Sequence, residues 1–222
     1  MSSQREQSNQ RGFTLLELLV VCAIAVPILG SVFATNMLVR GEVESGDTSA
    51  SVAESCRTAG QRVSLYARSG LLSTCAVRAT QDDVNAATAA QALNPSVVVP
   101  SIGDWIAPPV GAERTTFRFQ AADGVLSMNA AALTPAREFQ FVIDDNETAN
   151  GIDDDGDGMI DEGKLELRIN TSQLELIATG VELCRFSLTG RVLSVRLQCA
   201  RRDHQGHVYR AVVTHSIYMR NS

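Results

Sequence analysis

Residues 150–163 read NGIDDDGDGMIDEG and overlap a stretch, 144–162, that holds nine acids and no base. Asp153, Asp155 and Asp157 alternate along the chain, and Gly158 follows them. Alternation can turn successive carboxylates toward one centre, and glycine permits the sharp turn such a centre needs. Hard oxygen ligands at this density suit Ca2+, whereas Mg2+ prefers few protein carboxylates and several waters. Met159 would add its backbone carbonyl, Asp161 and Glu162 further carboxylates, and Ile160 an apolar tie to the core. The competing reading is a solvated acidic turn, which must bear the mutual repulsion of its carboxylates without a cation. A bound Ca2+ is expected to be structural, pinning a strand pair around residues 141 and 166.

The first half of this pattern is that of an EF-hand loop, with Asp161 at the ninth position. The twelfth position, where an EF-hand places its bidentate glutamate, is Lys164. Strand patterns rather than helical ones flank the loop. Glu162 could close a shorter loop, as in the extracellular D-x-D-x-D-G repeats that this stretch resembles.

Other residues capable of chemistry are sparse. His204 and His207 form HQGH near Cys199, but a single turn containing Gly206 reads more simply as a hairpin than as a zinc site. His215 lies in a strand pattern as a packed or edge residue. No nucleophile elbow or phosphate-binding glycine loop is present, so the chain is not expected to be an enzyme. Of five cysteines, Cys22 lies in an apolar run. Cys56 and Cys75 could close a disulfide loop. If Thr189-Gly190 forms the hairpin turn, Cys184 faces Val195 and Cys199 faces Gly180. That leaves the two cysteines about 13 Å apart, beyond the roughly 7 Å between Cα atoms that a disulfide tolerates.

The element that must anchor these groups lies near the N-terminus. Residues 18–39 are 22 positions without a charge, and about 20 helical residues cross a bilayer core. Glu17 stands at the mouth of this run, and an acid in mid-span costs on the order of 3 kcal/mol, less near an end. Thr14-Leu-Leu-Glu17 fits a capping box that would satisfy the first helical amides. The alternative is a charged partner for Glu17. Arg5 and Arg11 precede the span, whereas Glu42, Glu44 and Asp47 join Arg40 beyond it. That bias places the N-terminus in the cytoplasm and the bulk outside.

Residues 12–21, GFTLLELLVV, resemble the start of type IV pilins and of the pseudopilins of type II secretion. The resemblance covers about a tenth of the chain. It implies a leader, 1–12, removed between Gly12 and Phe13 by an aspartyl prepilin peptidase, and N-methylation of Phe13. It also implies that Glu17 pairs with the N-terminal amine of a neighbouring subunit during assembly. An amine with a pKa near 8 would otherwise sit charged in a low dielectric, so each charge supplies the other's partner. Other pilins, the prepilin peptidase, an inner-membrane assembly platform and membrane lipid are the implied partners, with no small-molecule substrate. Pro27 and Gly30 interrupt the span, while the family's usual proline would fall near Ala34, so a bend is expected at a displaced position. An acidic loop in the second half of such a chain resembles the PilW-like minor pilins and the J-type minor pseudopilins. Their implied role is to initiate or cap a type IV pilus or a type II secretion pseudopilus. The rival readings are a secretory signal peptide cut near Ala34 and a single-pass membrane anchor carrying a calcium-dependent adhesion or binding module.

Beyond the span a helical pattern continues to about Arg68, with Val43, Val52, Val63 and Leu65 among polar residues. Gly41, Gly46 and Gly60 weaken it. Unbroken, the helix would be about 84 Å long. Asp82-Asp83 can cap an Ala-rich helix ending before Pro95. Pro100, Pro108 and Pro109 mark a loop whose Trp105 reads as a core plug. Strand patterns follow: TTFRFQ, GVLSM and EFQFVI before the acidic loop, then KLELRI, QLELIA, VELCRFSL, RVLSVRLQC and VYRAVVTHSIYM. Alternation puts Phe186, Leu188, Leu193, Val195 and Leu197 on one face, with Arg185, Ser187, Ser194 and Arg196 on a solvated one.

The expected fold is therefore α+β: leader 1–12, transmembrane and stalk helix 13–68, and a head 69–222 with an antiparallel sheet and the inserted loop 150–163. At 222 residues, 45% hydrophobic and 20% charged, the chain suits one anchored domain. A net charge of −6 argues against a nucleic-acid binder, and strand alternation disperses the C-terminal arginines rather than grouping them. The expected location is the inner membrane, single pass, with a periplasmic head and the filament tip as the place where a large head crowds least.

Overall fold

The computed structural model describes residues 14–121, 133–170 and 173–220. The GVLSM strand expected near residue 125 lies outside them. By compactness the chain divides into two units, Met1–Gly46 and Asp47–Ser222.

Helix α1 (Leu15–Ala67) is continuous over 53 residues, with Pro27 inside it. Proline removes one amide donor, yet neither it nor Gly30, Gly41 or Gly46 ends the helix. The Ser31 and Thr35 hydroxyls bond back to the carbonyls of Ile28 (2.8 Å) and Ser31 (2.9 Å), keeping these polar groups satisfied inside an apolar helix. An 18-residue window of α1 has a mean hydropathy of 2.5 and no buried residue. A helix apolar on all sides calls for a non-aqueous surrounding, and among the described residues α1 is the helix long and apolar enough to cross a membrane.

Within the second unit α1 changes character. Val52, Cys56, Ala59, Val63 and Ala67 are buried at helical spacing, forming a stripe of mostly small side chains that lets the helix approach the sheet. Val43 and Leu65, apolar residues of the same expected pattern, are exposed. Gly60 belongs to the stripe. A Cβ there would lie 2.4 Å from the His215 ring, so glycine is required by space rather than tolerated as a weak point. Gly60→Ala should therefore destabilise the head by about 1–2 kcal/mol despite a better helix propensity, and chemical denaturation would measure it. A stabilised variant would contradict this packing.

After a single turn at Leu72–Thr74, strand β1 (Val77–Arg78) pairs with β2 (Trp105–Ile106). Two residues of the expected proline-bounded loop thus become strand. Between them α2 (Gln81–Leu93) starts at Thr80, whose amide and hydroxyl both donate to Asp83 Oδ2 (2.7 and 2.8 Å). The cap is Thr80, with Asp83 as its third-position partner, rather than the aspartate pair itself. Trp105 is no core plug. It is half-buried, with the guanidinium groups of Arg78 and Arg118 4.5 and 5.1 Å from its ring centroid.

The main sheet is a six-stranded antiparallel meander: β3 (Thr116–Phe119), β4 (Arg137–Ile143), β5 (Gly163–Ile169), β6 (Gln173–Thr189), β7 (Val192–Arg202) and β8 (Val208–Tyr218) in chain order. QLELIA and VELCRFSL are one strand, β6. Gly180, at φ +62, is the extra residue of a bulge against β5, and a Cβ there would meet the Ala200 carbonyl oxygen at 2.7 Å. Phe117, Phe119, Phe139 and Phe186 stack across the sheet with centroids 5.7–5.9 Å apart for neighbouring rings. The expected inward set, Phe186, Leu188, Leu193, Val195 and Leu197, is buried.

The β6–β7 register differs from the expected one by a residue at the turn. Thr189 pairs with Val192, so the loop is Gly190-Arg191, with Gly190 at φ +58. That is the first loop position, where a type II′ hairpin takes glycine. Cys184 therefore faces Leu197 and Cys199 faces Val181.

Candidate functional site

Two regions carry the groups singled out in the sequence. The first opens α1. Thr14 donates from its amide and its hydroxyl to Glu17 Oε2, both at 3.4 Å, and the Glu17 amide returns a bond to Thr14 Oγ1 at 3.3 Å. This is a capping box at the long end of hydrogen-bond range. Its residues are exposed, so the carboxylate is held loosely. Gly12 and Phe13 lie outside the described residues.

The second region is the β4–β5 connection, residues 144–162, whose ends are joined by the Asp144 amide on the Glu162 carbonyl (3.0 Å) and by the Lys164–Asp144 ion pair (2.6 Å). The strands it closes pair Phe141 with Leu165 and Gln140 with Glu166, the neighbourhood expected from the sequence. Each aspartate of the repeat accepts a backbone amide further on. Gly156 and Gly158 donate to the two oxygens of Asp153 (2.6 and 2.8 Å), Asp157 to Asp155, and Met159 to Asp157. These turns fold the segment into a compact ring, with Gly156 and Gly158 at φ +78 and +91.

Two groups of carboxylates result, Glu147 with Asp153 and Asp155, and Asp155 with Asp157 and Glu162. In each, the potential ligand oxygens lie within 4.8 Å of one another. Asp155 is common to both. Glu162 is only 5% exposed, and its Oε2 is buried without a hydrogen-bond partner among the described residues. Burial first, and then the charges of Asp157, Glu147 and Asp155, push its carboxyl up to about 6. A buried carboxylate oxygen aimed into a ring of like charges is the donor set a hard divalent cation fits.

Glu147 had no marker in the sequence, because it precedes the repeat and obeys no spacing rule. Here it is buried and accepts the amides of Asp154, Asp155 and Asp161 (3.1–3.2 Å). Asp161, at φ +50, turns its carboxylate to the amides of Asn150 and Gly151 and stands outside both groups. Ile160 does not tie the loop to the core, being 41% exposed. A polar clamp does so instead. The Ile160 amide donates to Glu182 of β6 (3.2 Å), and Arg210 of β8 grips both Glu182 oxygens while donating to the Gly158 carbonyl (3.0 Å).

The remaining expected groups are dispersed. The His207 amide and ring Nδ1 bond Asp203 across the β7–β8 turn (2.8 and 3.2 Å), and His215 packs on Gly60. Among the described residues, the groups spaced to hold a metal are the acidic ones. All five cysteines are free. Cys75 bonds the Leu71 carbonyl, whereas Cys56 lies against β7 and β8.

Residues 7–26 match the family model described as the prokaryotic N-terminal methylation motif. No curated protein matches the chain, and no solved structure does. The chain thus carries a prepilin-type N-terminus on a long apolar helix, consistent with a type IV pilin or pseudopilin. The motif points to a membrane-anchored, single-pass structural subunit rather than an enzyme, and it implies dealings with other pilins and with a prepilin peptidase.

Proposed function

We propose that the chain is a minor pilin or pseudopilin that initiates or caps a type IV pilus or a type II secretion pseudopilus. The match of residues 7–26 carries the reading. In it, the prepilin peptidase cuts between Gly12 and Phe13, Phe13 is N-methylated, and the head faces the periplasm. Once the leader is gone, the new amine of one subunit needs a counter-charge in the apolar filament core. Glu17, loosely held by Thr14 at 3.3–3.4 Å, is the acid available to it. Glu17→Ala should be processed normally yet absent from sheared filaments, a loss of at least tenfold by quantitative blotting. Normal incorporation of that variant would sink the assembly role.

The acidic loop is proposed to bind one structural Ca2+ through Asp153, Asp155, Asp157, Glu162 and Glu147, with the Met159 carbonyl as a further donor. The buried, unpartnered Glu162 Oε2 supports this most directly. Asp161, engaged with two amides, shapes the loop. The ion would offset part of the loop's negative charge and fix the ends of β4 and β5; it has no catalytic part. Pinning a long hairpin connection this way suits a head that must stay folded outside the cell membrane.

A further inference from the structure

Helix α1 and strand β7 meet at two thiols. Cys56 is fully buried on the helix stripe and Cys199 is 3% exposed on the inward face of the sheet. The Cys56 Sγ lies 3.5 Å from the carbonyl oxygen of Ala211, the cross-strand partner of Cys199, and 3.7 Å from that of Leu197, two residues before Cys199 on the same strand face. The Cys199 thiol holds that of Cys56 below its ordinary value, so the two sulfurs are near enough to interact. These contacts put Cys56 directly over the Cys199 position, with residues 57–198 between them in sequence. Cys75, by contrast, is turned to the Leu71 carbonyl (3.4 Å), and Cys184 stands opposite Leu197.

We propose that Cys56 and Cys199 form a disulfide that staples the helix to the sheet. The proposal rests on the reading above that the head folds outside the cytoplasm, because only an oxidising compartment supports such a bond. In the chemistry, a thiolate of one cysteine attacks a disulfide sulfur of a protein thiol oxidoreductase. The donor's S–S bond breaks, and a mixed disulfide forms. The second cysteine, giving up its proton, attacks the chain's own sulfur in that mixed bond. The Cys56–Cys199 bond closes, the donor leaves as a dithiol, and the two protons lost by the chain end on its two sulfurs. The folded head buries both thiols, so the exchange must occur while the helix is still docking. Once the head is folded, burial holds Cys75 and Cys184 in the thiol form, Cys75 at about 12.

The test has two arms on the full-length chain in detergent. In the first, the reduced chain is refolded in a mixture of reduced and oxidised glutathione, alkylated under denaturing conditions, and mapped by peptide mass. The expected result is one linkage, Cys56 to Cys199, with Cys75 and Cys184 alkylated. The linked form should also melt roughly 5–15 °C above its reduced form. Linkage of Cys56 to Cys75, linkage of Cys184 to Cys199, or full alkylation of Cys56 and Cys199 overturns the proposal. Cys56→Ser and Cys199→Ser, each small and near-isosteric, should each abolish the linkage and leave no substitute pair. In the second arm the chain is alkylated as it is taken from its native membrane. The same linkage there supports both the staple and the exported head. A pair that closes on refolding yet is reduced in the cell contradicts the exported-head reading and leaves the pairing geometry standing.

Discussion

Removing Ca2+ with a chelator is expected to lower the thermal midpoint of the detergent-solubilised protein by roughly 5–10 °C. A ligand at about a hundred times its dissociation constant stabilises the state that binds it by about 2.7 kcal/mol, and each kcal/mol moves the midpoint of a domain this size by about 2–4 °C. The effect originates in the two carboxylate groups that share Asp155. Without a cation they repel one another, and protonation of Glu162, raised to about 6, gives partial relief only below that pH. Asp155→Asn removes the shared ligand charge and should erase the calcium-dependent part of the shift. The proton sets the sign of the pH effect. With the Glu162 carboxyl raised to about 6, protons compete with the ion below that pH, so apparent Ca2+ affinity falls as pH drops through it. Mg2+ should restore little of the midpoint. Equal midpoints with Ca2+ and with chelator would mean the loop is a solvated turn.

Gly163→Ala should cost more than the same change at the other described glycines of the head, roughly 3–4 kcal/mol. Gly163 follows the buried Glu162 and pairs with Ile143 at the mouth of the loop. A Cβ there would stand 2.1 Å from the Val142 carbonyl oxygen and 2.7 Å from the Ile143 Cα. Both are backbone atoms that cannot rotate away, so β4 and β5 must part or slip, carrying the Glu162 carboxylate out of its group. The variant should melt roughly 6–15 °C below the parent and should also bind Ca2+ more weakly. Gly158→Ala probes a different cause, since its strain comes from φ +91 and a Val208 side chain 2.9 Å away. An unchanged midpoint for Gly163→Ala would contradict the strand register at the loop mouth.

Much of the fold could be read from periodicity. The alternation of β6 and β7 named the buried residues because an antiparallel sheet with one face on a core repeats every second residue. The extent of α1 was legible from the charge-free run and the helical spacing that continues beyond it. What failed were features set by neighbours distant in sequence. Trp105 read as a plug because nothing local announces that Arg78 and Arg118 will flank it. Gly60 read as a weak helical position, although it is the space that His215 occupies. The β6–β7 turn was misplaced by one residue because either Thr189-Gly190 or Gly190-Arg191 offers a glycine, and only the twist of the strands selects the second.

The clustering of the acidic side chains, on which the proposed cation site rests, was legible in kind and incomplete in membership. The D-x-D-x-D-G spacing identified Asp153, Asp155 and Asp157, because local turn geometry alone brings them round. Glu147 and the Glu182–Arg210 clamp come from outside the repeat, so no spacing rule could find them. Arg210, to which the sequence reading gave no role, fastens the loop to the sheet.

The central claim, that this chain enters the pilin pathway, is tested most directly by intact mass and N-terminal analysis of the protein from its native membrane, beside a Gly12→Val variant. The account predicts a mature chain beginning at N-methyl Phe13, and a Gly12→Val chain that keeps its leader and its unmodified N-terminus. A full-length wild-type chain, or one cut near Ala34, would contradict it.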